Sequence, residues 1–401
     1  MAQPILLRGA RQLLTLGGPS GARCGADLRN IGLIQDGSVL IRDGVIASVG
    51  STRRLENLNE VRGALDVPVH GRVVMPSFVD AGLHISLSRS RVSHKPKRAS
   101  DFHEDSLALL RGCLLHGTVT ADAKASADGR EYHSDISVFR RLAKIGDTPL
   151  RLFRTWRIGQ RPLTSEADHS DLSETLKTLL GRGLIHTIAI EPLSEEMEEL
   201  ELLVRAKAAG ARFQVIWSGG SPRLFEQLLT RLQPISVFYK CEPNASEAAI
   251  LADMPAVAVL PAGKHVFEGP PTTIGRDLVD SGVAVALSSG YHSVSAASFS
   301  MQMSIALAVT RLGLTVEEAI TAATTNAAHA IGCSHLTGSL EIGKQADLII
   351  LNVPDYREIP EQFGINHVAM VFRSGTIALN RTRWRAPTES QSASRMRSKL
   401  L

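Results

Sequence analysis

Strand-like and helix-like segments alternate about eight times between residues 77 and 337, and short β-rich segments flank that region. The alternation predicts a (β/α)8 barrel of the TIM-like kind, and the flanks predict a small β-sandwich built from both chain ends. A third observation argues against a doubly wound open sheet, because no glycine-rich dinucleotide fingerprint follows the first strand of the alternating region. Residues 1–76 and 338–380 are thus assigned to the sandwich, 77–337 to the barrel, and 381–401 to a basic, disordered tail.

Each element has its own signal. SVLIRDGVIASVG (38–50) reads as a hairpin, with Asp43-Gly44 between two β-branched runs. LDVPVHGRVVMP (65–76) repeats strand, turn, strand, with the turn near Gly71. At the other end GSLEIGKQADLIILNV (338–353) and HVAMVFRSGTIAL (367–379) do the same. Neither group can bury a core alone, so the two are expected to pair.

Within the barrel region a helix near 104–116 precedes GTVTADAKA, ISVFRRLAKIG precedes PLRLFRTW, and SDLSETLKTLLGRG precedes IHTIAIEP. SEEMEELELLVRAKAAG leads to RFQVIWSGG, SPRLFEQLLTRL to PISVFYKCE, and ASEAAILADM to AVAVLPAG. TTIGRDLVDSG then leads to VAVALSSGYH, and a helical region follows from about Ala296.

Composition narrows the class of function. Apolar residues make up 44% and charged residues 21%, the balance of an ordinary globular chain. No apolar run approaches the ~18 residues of a membrane span, and Arg8 and Arg11 interrupt the apolar N-terminus. Cys24, Cys113, Cys241 and Cys333 are far apart with no C-x-x-C, which points to a reduced, cytoplasmic protein. The net charge of +4 is concentrated after residue 380, where five Arg and one Lys face a single acid, Glu389. The remainder is nearly neutral and has no basic stripe with interleaved aromatics, so neither nucleic acid nor membrane is an expected partner.

Residues 74–85 read VMPSFVDAGLHI, an apolar strand that ends Gly82-Leu83-His84. Further on come SMQMSIALAVTRLGLTVEEAITAATTNAAHAIG, TGSLEIGKQADLIIL and VPDYREIPEQFGINHVAMVFRSG. Together these resemble the imidazolonepropionases, amidohydrolase-superfamily enzymes that open an imidazolone ring in histidine degradation. PDYREIPEQFGIN is the narrower signal, and the other segments are shared by many amidohydrolases. The resemblance implies hydrolysis of a carbon–nitrogen bond in a cyclic amide, using zinc or iron.

The family's metal ligands are His-x-His on the first barrel strand, one His each on the fifth and sixth, and Asp on the eighth. Here the first His matches Gly82 and the second matches His84. The fifth-strand position falls at Ile216 or Trp217, the sixth at Tyr239 and the eighth at Gly290. No histidine lies between His186 and His265, so a small shift of register supplies neither missing imidazole. Glycine, isoleucine and tryptophan cannot ligate a hard or borderline cation, so no metal cofactor is expected.

The substrate shell is read the same way. The resemblance places Arg91, in SLSRSR, where the family holds a substrate carboxylate, and VSHKPKRAS replaces a glycine-rich substrate loop. DAKAS keeps Lys124, Gln160 stands where a histidine is expected, and Glu191 matches a family acid. His84, Glu191 and His292 are therefore the catalytic candidates, with Arg91 and Lys124 for substrate. Each has a plainer reading: His84 as a packed, hydrogen-bonded side chain, the others as solvated or locally paired charges. His133, His265 and Glu268 are candidates only by position, and Ser288-Ser289-Gly290 lacks an identifiable base for a nucleophile role.

The expected protein is a homodimeric imidazolonepropionase-like barrel in which metal-dependent hydrolysis is lost, either with a rebuilt site or as a non-catalytic binder. Its expected partner is a small anionic, ring-containing molecule. Arg91 and Lys124 should face the barrel axis within ~15 Å of each other, while Trp217 and Tyr239 fill the old metal volume as an apolar floor.

Overall fold

The computed structural model describes residues 3–85, 99–126, 132–145, 150–158, 165–192, 199–263, 271–292 and 298–384. Arg91, Gln160, His265, Glu268 and most of the basic tail lie outside the described residues.

The chain ends form one eight-stranded sheet. Its N-terminal strands are β1 (Ile5–Leu14), β2 (Leu33–Arg42), β3 (Val45–Ser51), β4 (Leu65–Pro68) and β5 (Val73–Pro76). β2 and β3 form the hairpin expected from Asp43-Gly44, and both turn residues have positive φ (50° and 83°), as a tight strand reversal requires. β4 and β5 do not form a second hairpin. They run one after the other along β1, parallel to it, pairing first with Ile5–Arg8 and then with Gln12 and Leu13. β1 is ten residues long and can accept both partners end to end, so Gly71 marks a jog rather than a reversal.

The C-terminal strands are β14 (Leu348–Leu351), β15 (Val368–Arg373) and β16 (Thr376–Asn380). They join the sheet through antiparallel pairing of β14 with β5. Leu7, Leu13, Val39 and Ile41 share one core with Leu348, Ile350, Met370 and Phe372, so the two ends are stabilised only together. Ile46 N–H donates to the Lys344 carbonyl at 2.9 Å, which draws the β3 edge back over that core.

Between the ends stand eight parallel strands in sequential order: β6 (Phe78–His84), β7 (Thr118–Ala125), β8 (Arg151–Ile158), β9 (Thr187–Ile190), β10 (Phe213–Trp217), β11 (Ser236–Tyr239), β12 (Val257–Pro261) and β13 (Val285–Ser288). β13 returns beside β6, where His84 N–H donates to the Tyr291 carbonyl at 3.0 Å. Asp80 adds a side-chain clasp, accepting from Ser289 N–H at 3.0 Å and Ser289 Oγ at 2.5 Å. This is the (β/α)8 barrel.

Helices follow the strands and bury their apolar stripes on the barrel. In Pro222–Leu232, Leu224, Phe225, Leu228, Leu229 and Leu232 are all buried, at the spacing of one helix face. Pro222 starts that helix behind the cap Ser221, and Asn244 with Glu247 forms a capping box on the next. Thr325–Ala330 plugs the lower end of the barrel, its Ala330 carbonyl accepting from Ser236 Oγ at 2.9 Å.

Candidate active site at the barrel mouth

Strand side chains alternate in and out, and the packing shows which parity faces the axis. Ala189, Ile216, Phe238 and Val259 share the interior cluster with Val79 and Ala81. Ile190, Trp217, Tyr239 and Leu260 belong instead to the layer beneath the helices. Trp217 stacks near Phe225, with centroids 4.8 Å apart, and its Nε1 donates to Glu247 Oε1 at 2.8 Å. The expectation that Trp217 and Tyr239 form the floor is therefore corrected: strand parity turns both outward, and Ile216 and Phe238 form the floor.

Phe238 sits against Gly82. A Cβ built on Gly82 would lie 2.5 Å from Phe238 Cε2 and 3.3 Å from Ser288 Oγ. The same ring meets His84 edge-on at 6.0 Å between centroids, and Lys124 Nζ lies 5.4 Å from its centre. Gly290 has φ +60°, and a Cβ there would come within 2.7 Å of Pro261 Cβ. Among the described residues no group of three His, Cys, Asp or Glu side chains is placed to hold a metal ion.

Lys124 pairs in register with His84 across β6 and β7, but its ammonium turns into the barrel and is fully buried. It forms an ion pair with Asp122 and donates to Gln214 Oε1 at 2.7 Å and the Ala81 carbonyl at 3.2 Å. Asp122 also accepts from Thr155 Oγ1 at 2.5 Å and Gln214 Nε2 at 3.1 Å. Three acceptors use the three donors of an ammonium, so Lys124 anchors a buried network rather than offering a charge at the mouth.

Glu191, just after β9, does reach the mouth and is nearly buried there. Its Oε2 accepts from Arg157 Nε at 2.9 Å and also from Arg157 Nη2. Its Oε1 accepts from Lys240 Nζ at 2.5 Å and Ser218 Oγ at 3.1 Å. Burial alone would raise its pKa, but the Arg157 charge and the hydrogen bonds from Lys240 and Arg157 outweigh it, leaving Glu191 below the usual carboxylate range.

His84 and His292, both half-buried, stand edge to face with ring centroids 5.9 Å apart. Burial, and then the charge of Arg157, hold both imidazoles below their ordinary pKa, His84 well below it. Both are therefore neutral near pH 7. His133 is exposed and bonds Asp171 Oδ1 at 3.2 Å. The structure thus brings His84, Glu191 and His292 to one mouth and sets Lys124 beneath it.

Arg157, Ser218 and Lys240, which surround Glu191, are mouth residues that sequence reading did not name. Their signal was parity: each lies two residues beyond an inward side chain, as Glu191 does beyond Ala189.

Comparison with known proteins places this barrel among similar folds and sequences. The Amidohydrolase family pattern matches residues 268–378. Imidazolonepropionase of Geobacillus kaustophilus (strain HTA426) is 28% identical over 94% of this chain and 98% of its own length. That of Geobacillus thermodenitrificans (strain NG80-2) is 29% identical over 94% and 98%. In three dimensions a triazine hydrolase variant superposes with TM-score 0.74 at 15% identity, covering 99% of each chain. Escherichia coli guanine deaminase superposes with TM-score 0.67 at 16% identity, over 95% of this chain and all of its own. The chain is thus similar to the imidazolonepropionases over nearly its whole length, and to the amidohydrolase family model over residues 268–378.

Proposed function

We propose that this barrel has given up metal-activated hydrolysis and that its mouth binds a small anionic, ring-bearing molecule. The observation that carries the first half is the Phe238 ring packed into the space that a side chain at Gly82 would need. Among the described residues the donor set does not fit the zinc or iron of the resembled family. Gly82, Ile216, Phe238 and Ser288 face inward around His84, and a borderline cation needs about three or four nitrogen, sulfur or carboxylate ligands. Among the described residues the mouth offers two imidazoles and the Glu191 carboxylate, the last held by Arg157 and Lys240, and no group of three is placed to hold a metal ion.

The second half is supported by two cations, Arg157 and Lys240, around one acid, Glu191, beside two neutral imidazoles. Among the described residues these groups offer hydrogen-bond donors for an anion and flat faces for a ring. His84 or His292, held neutral, could still accept a proton, so a rebuilt metal-free site is the second reading. Cys24, Cys113, Cys241 and Cys333 form no disulfide with one another, which supports a reduced, cytoplasmic setting. Among the described residues no helix is long and apolar enough to cross a membrane.

Elemental analysis of protein purified without chelators, paired with a hydrolysis assay on 4-imidazolone-5-propanoate, tests this reading. Far less than one zinc or iron per chain and no enzyme-like turnover are expected. Stoichiometric metal with turnover that His84→Ala abolishes would overturn it.

A further inference from the structure

We propose that the outer foot of the barrel carries a self-complementary face, on which the Phe363–Ile365 ridge of one copy of this chain seats in a cleft of a second copy, and the reverse. The inference does not depend on what the mouth binds.

The cleft has a volume of about 180 Å³. It lies where the end of the helix Ala99–Leu115 meets the start of the helix Met301–Arg311 and the segment after the helix Glu358–Glu361. His116, on its wall, just precedes β7, so the cleft sits beside the strand starts and away from the mouth. No Lys, Arg, Asp or Glu lines it, and Met303, Ile359, Phe363 and Ile365 supply apolar walls. A cavity of about 150 Å³ can hold benzene, so a phenyl ring fits this one. Cross-ties hold its shape. Asn366 Nδ2 donates to the Leu115 carbonyl at 2.7 Å, and Gln302 Nε2 donates to Asn366 Oδ1 at 3.0 Å and to the His116 carbonyl at 3.3 Å.

Beside the hole stands a knob. Gly364, at φ +88°, turns the chain sharply between Phe363 and Ile365. Phe363 is 67% exposed, Ile365 57% and the adjoining Leu115 38%. Among the described residues only Leu33 and Ile342 are other large apolar side chains so exposed. A patch that carries both knob and hole is satisfied by a twofold axis, since each copy then offers what the other lacks.

Charge favours a second copy as the occupant. Arg111 lies one turn before Leu115 on the same helix, and Glu361 lies two residues before Phe363. Both are exposed, and neither has an ion pair among the described residues. Seating one copy's Phe363 in the other's cleft carries its Glu361 toward the Arg111 beside that cleft, and the axis repeats the pair.

Sedimentation of the full chain tests this. The native protein should be dimeric at ~10 μM, and Phe363→Asp should weaken pairing about 100-fold or more, as loss of a central aromatic anchor does. Arg111→Glu or Glu361→Arg alone should weaken it as well, and both together in one chain should restore most of the loss. Ile342→Asp, at an equally exposed apolar residue beside β3, should leave the dimer intact. Far-UV circular dichroism checks that each variant is folded; should Phe363→Asp fail, Ile365→Lys makes the same test. A native monomer at that concentration, a dimer that survives loss of the ridge, or a dimer broken by Ile342→Asp would each overturn the proposal. A charge swap that restores nothing would overturn it too, because the two charges were its reason for choosing a second copy.

Discussion

Phe238 and Gly82 are a matched pair: the ring of one fills the volume that any side chain on the other would need, at 2.5 Å from Cε2 to an ideal Cβ. Real Cβ contacts do not approach so closely; Phe238 sits in a strand paired on both sides, and Gly82 lies at a register shift in the pairing of β6 with β7. The pair can only change together.

Gly82→Ala is accordingly expected to destabilise the protein by ~1–3 kcal/mol, the usual range for overpacking a core. Phe238→Leu alone should cost about 1 kcal/mol, and the double variant should be more stable than the sum of the two losses predicts. Urea unfolding of all four proteins measures the coupling. Additive losses would show that the two side chains do not compete for one space.

Lys124 and Asp122 make a second prediction. Both are buried, and Lys124→Met leaves a carboxylate inside the barrel with only Thr155 and Gln214 as partners. Removing one member of a buried pair costs about 3–5 kcal/mol, whereas replacing both is far milder. Lys124→Met should therefore be strongly destabilised, and Lys124→Met with Asp122→Asn should recover part of the loss in thermal melts. If Lys124 instead served mainly to hold a ligand, stability would hardly change.

Much of this was legible in the sequence, for identifiable reasons. Eight alternations of strand and helix leave few topologies, and the Asp43-Gly44 turn dictates its hairpin. The course of β4 and β5 was hidden because both pair with β1, more than fifty residues away, and not with each other. The placement of His84, Glu191 and His292 at the mouth was readable from the family's strand ends; the structure does not test their roles. Arg157 and Lys240 were not, since the resemblance points to positions and not to strand parity. The same gap sent Trp217 and Tyr239 to the wrong side of the wall. The charge balance of Lys124 depends on Gln214, ninety residues distant, and no local pattern reports it.

His186 sets an acid limit. It lies at the foot of β9, where its Nδ1 accepts from the Arg154 amide at 3.0 Å, a bond that requires an unprotonated nitrogen. Burial first, then the charges of Arg154 and Arg212, push its pKa down to about 4. Between its unfolded value of 6.5 and about 4, the unfolded chain binds a proton that the folded chain does not. Stability from this group is thus full above pH 6.5 and falls as the pH drops through that window. Because the ring is partly exposed, the loss should be on the order of 1–2 kcal/mol rather than the full amount for such a shift. His186→Asn should be less stable at pH 7 but should lose less between pH 7 and pH 4.5, as read by urea unfolding at both. An unchanged slope would mean that His186 is protonated in the folded protein.

The outward course of Trp217 gives the last test, because the two possible orientations predict opposite results. Pointing outward, its indole N–H bonds Glu247, a buried acid that also caps the helix Ala245–Ala252 by accepting from Asn244 N–H at 3.2 Å. Trp217→Phe keeps most of the packing against Phe225 but leaves Glu247 Oε1 without that donor. A buried polar group left unpaired costs about 1–3 kcal/mol, so the variant should melt at lower temperature. Adding Glu247→Gln should not restore the loss, because the amide cannot reproduce the charge that the cap uses. At the mouth nothing should change: the affinity of the chain for a small anionic, ring-bearing molecule should be the same with Trp or Phe at 217. Ile216→Ala, one residue earlier on the inward parity, should instead alter that affinity, since its side chain shares the floor with Phe238 beneath His84. Finding the reverse, with Trp217→Phe weakening binding and Ile216→Ala leaving it alone, would mean that β10 turns the other way and that the indole lines the pocket.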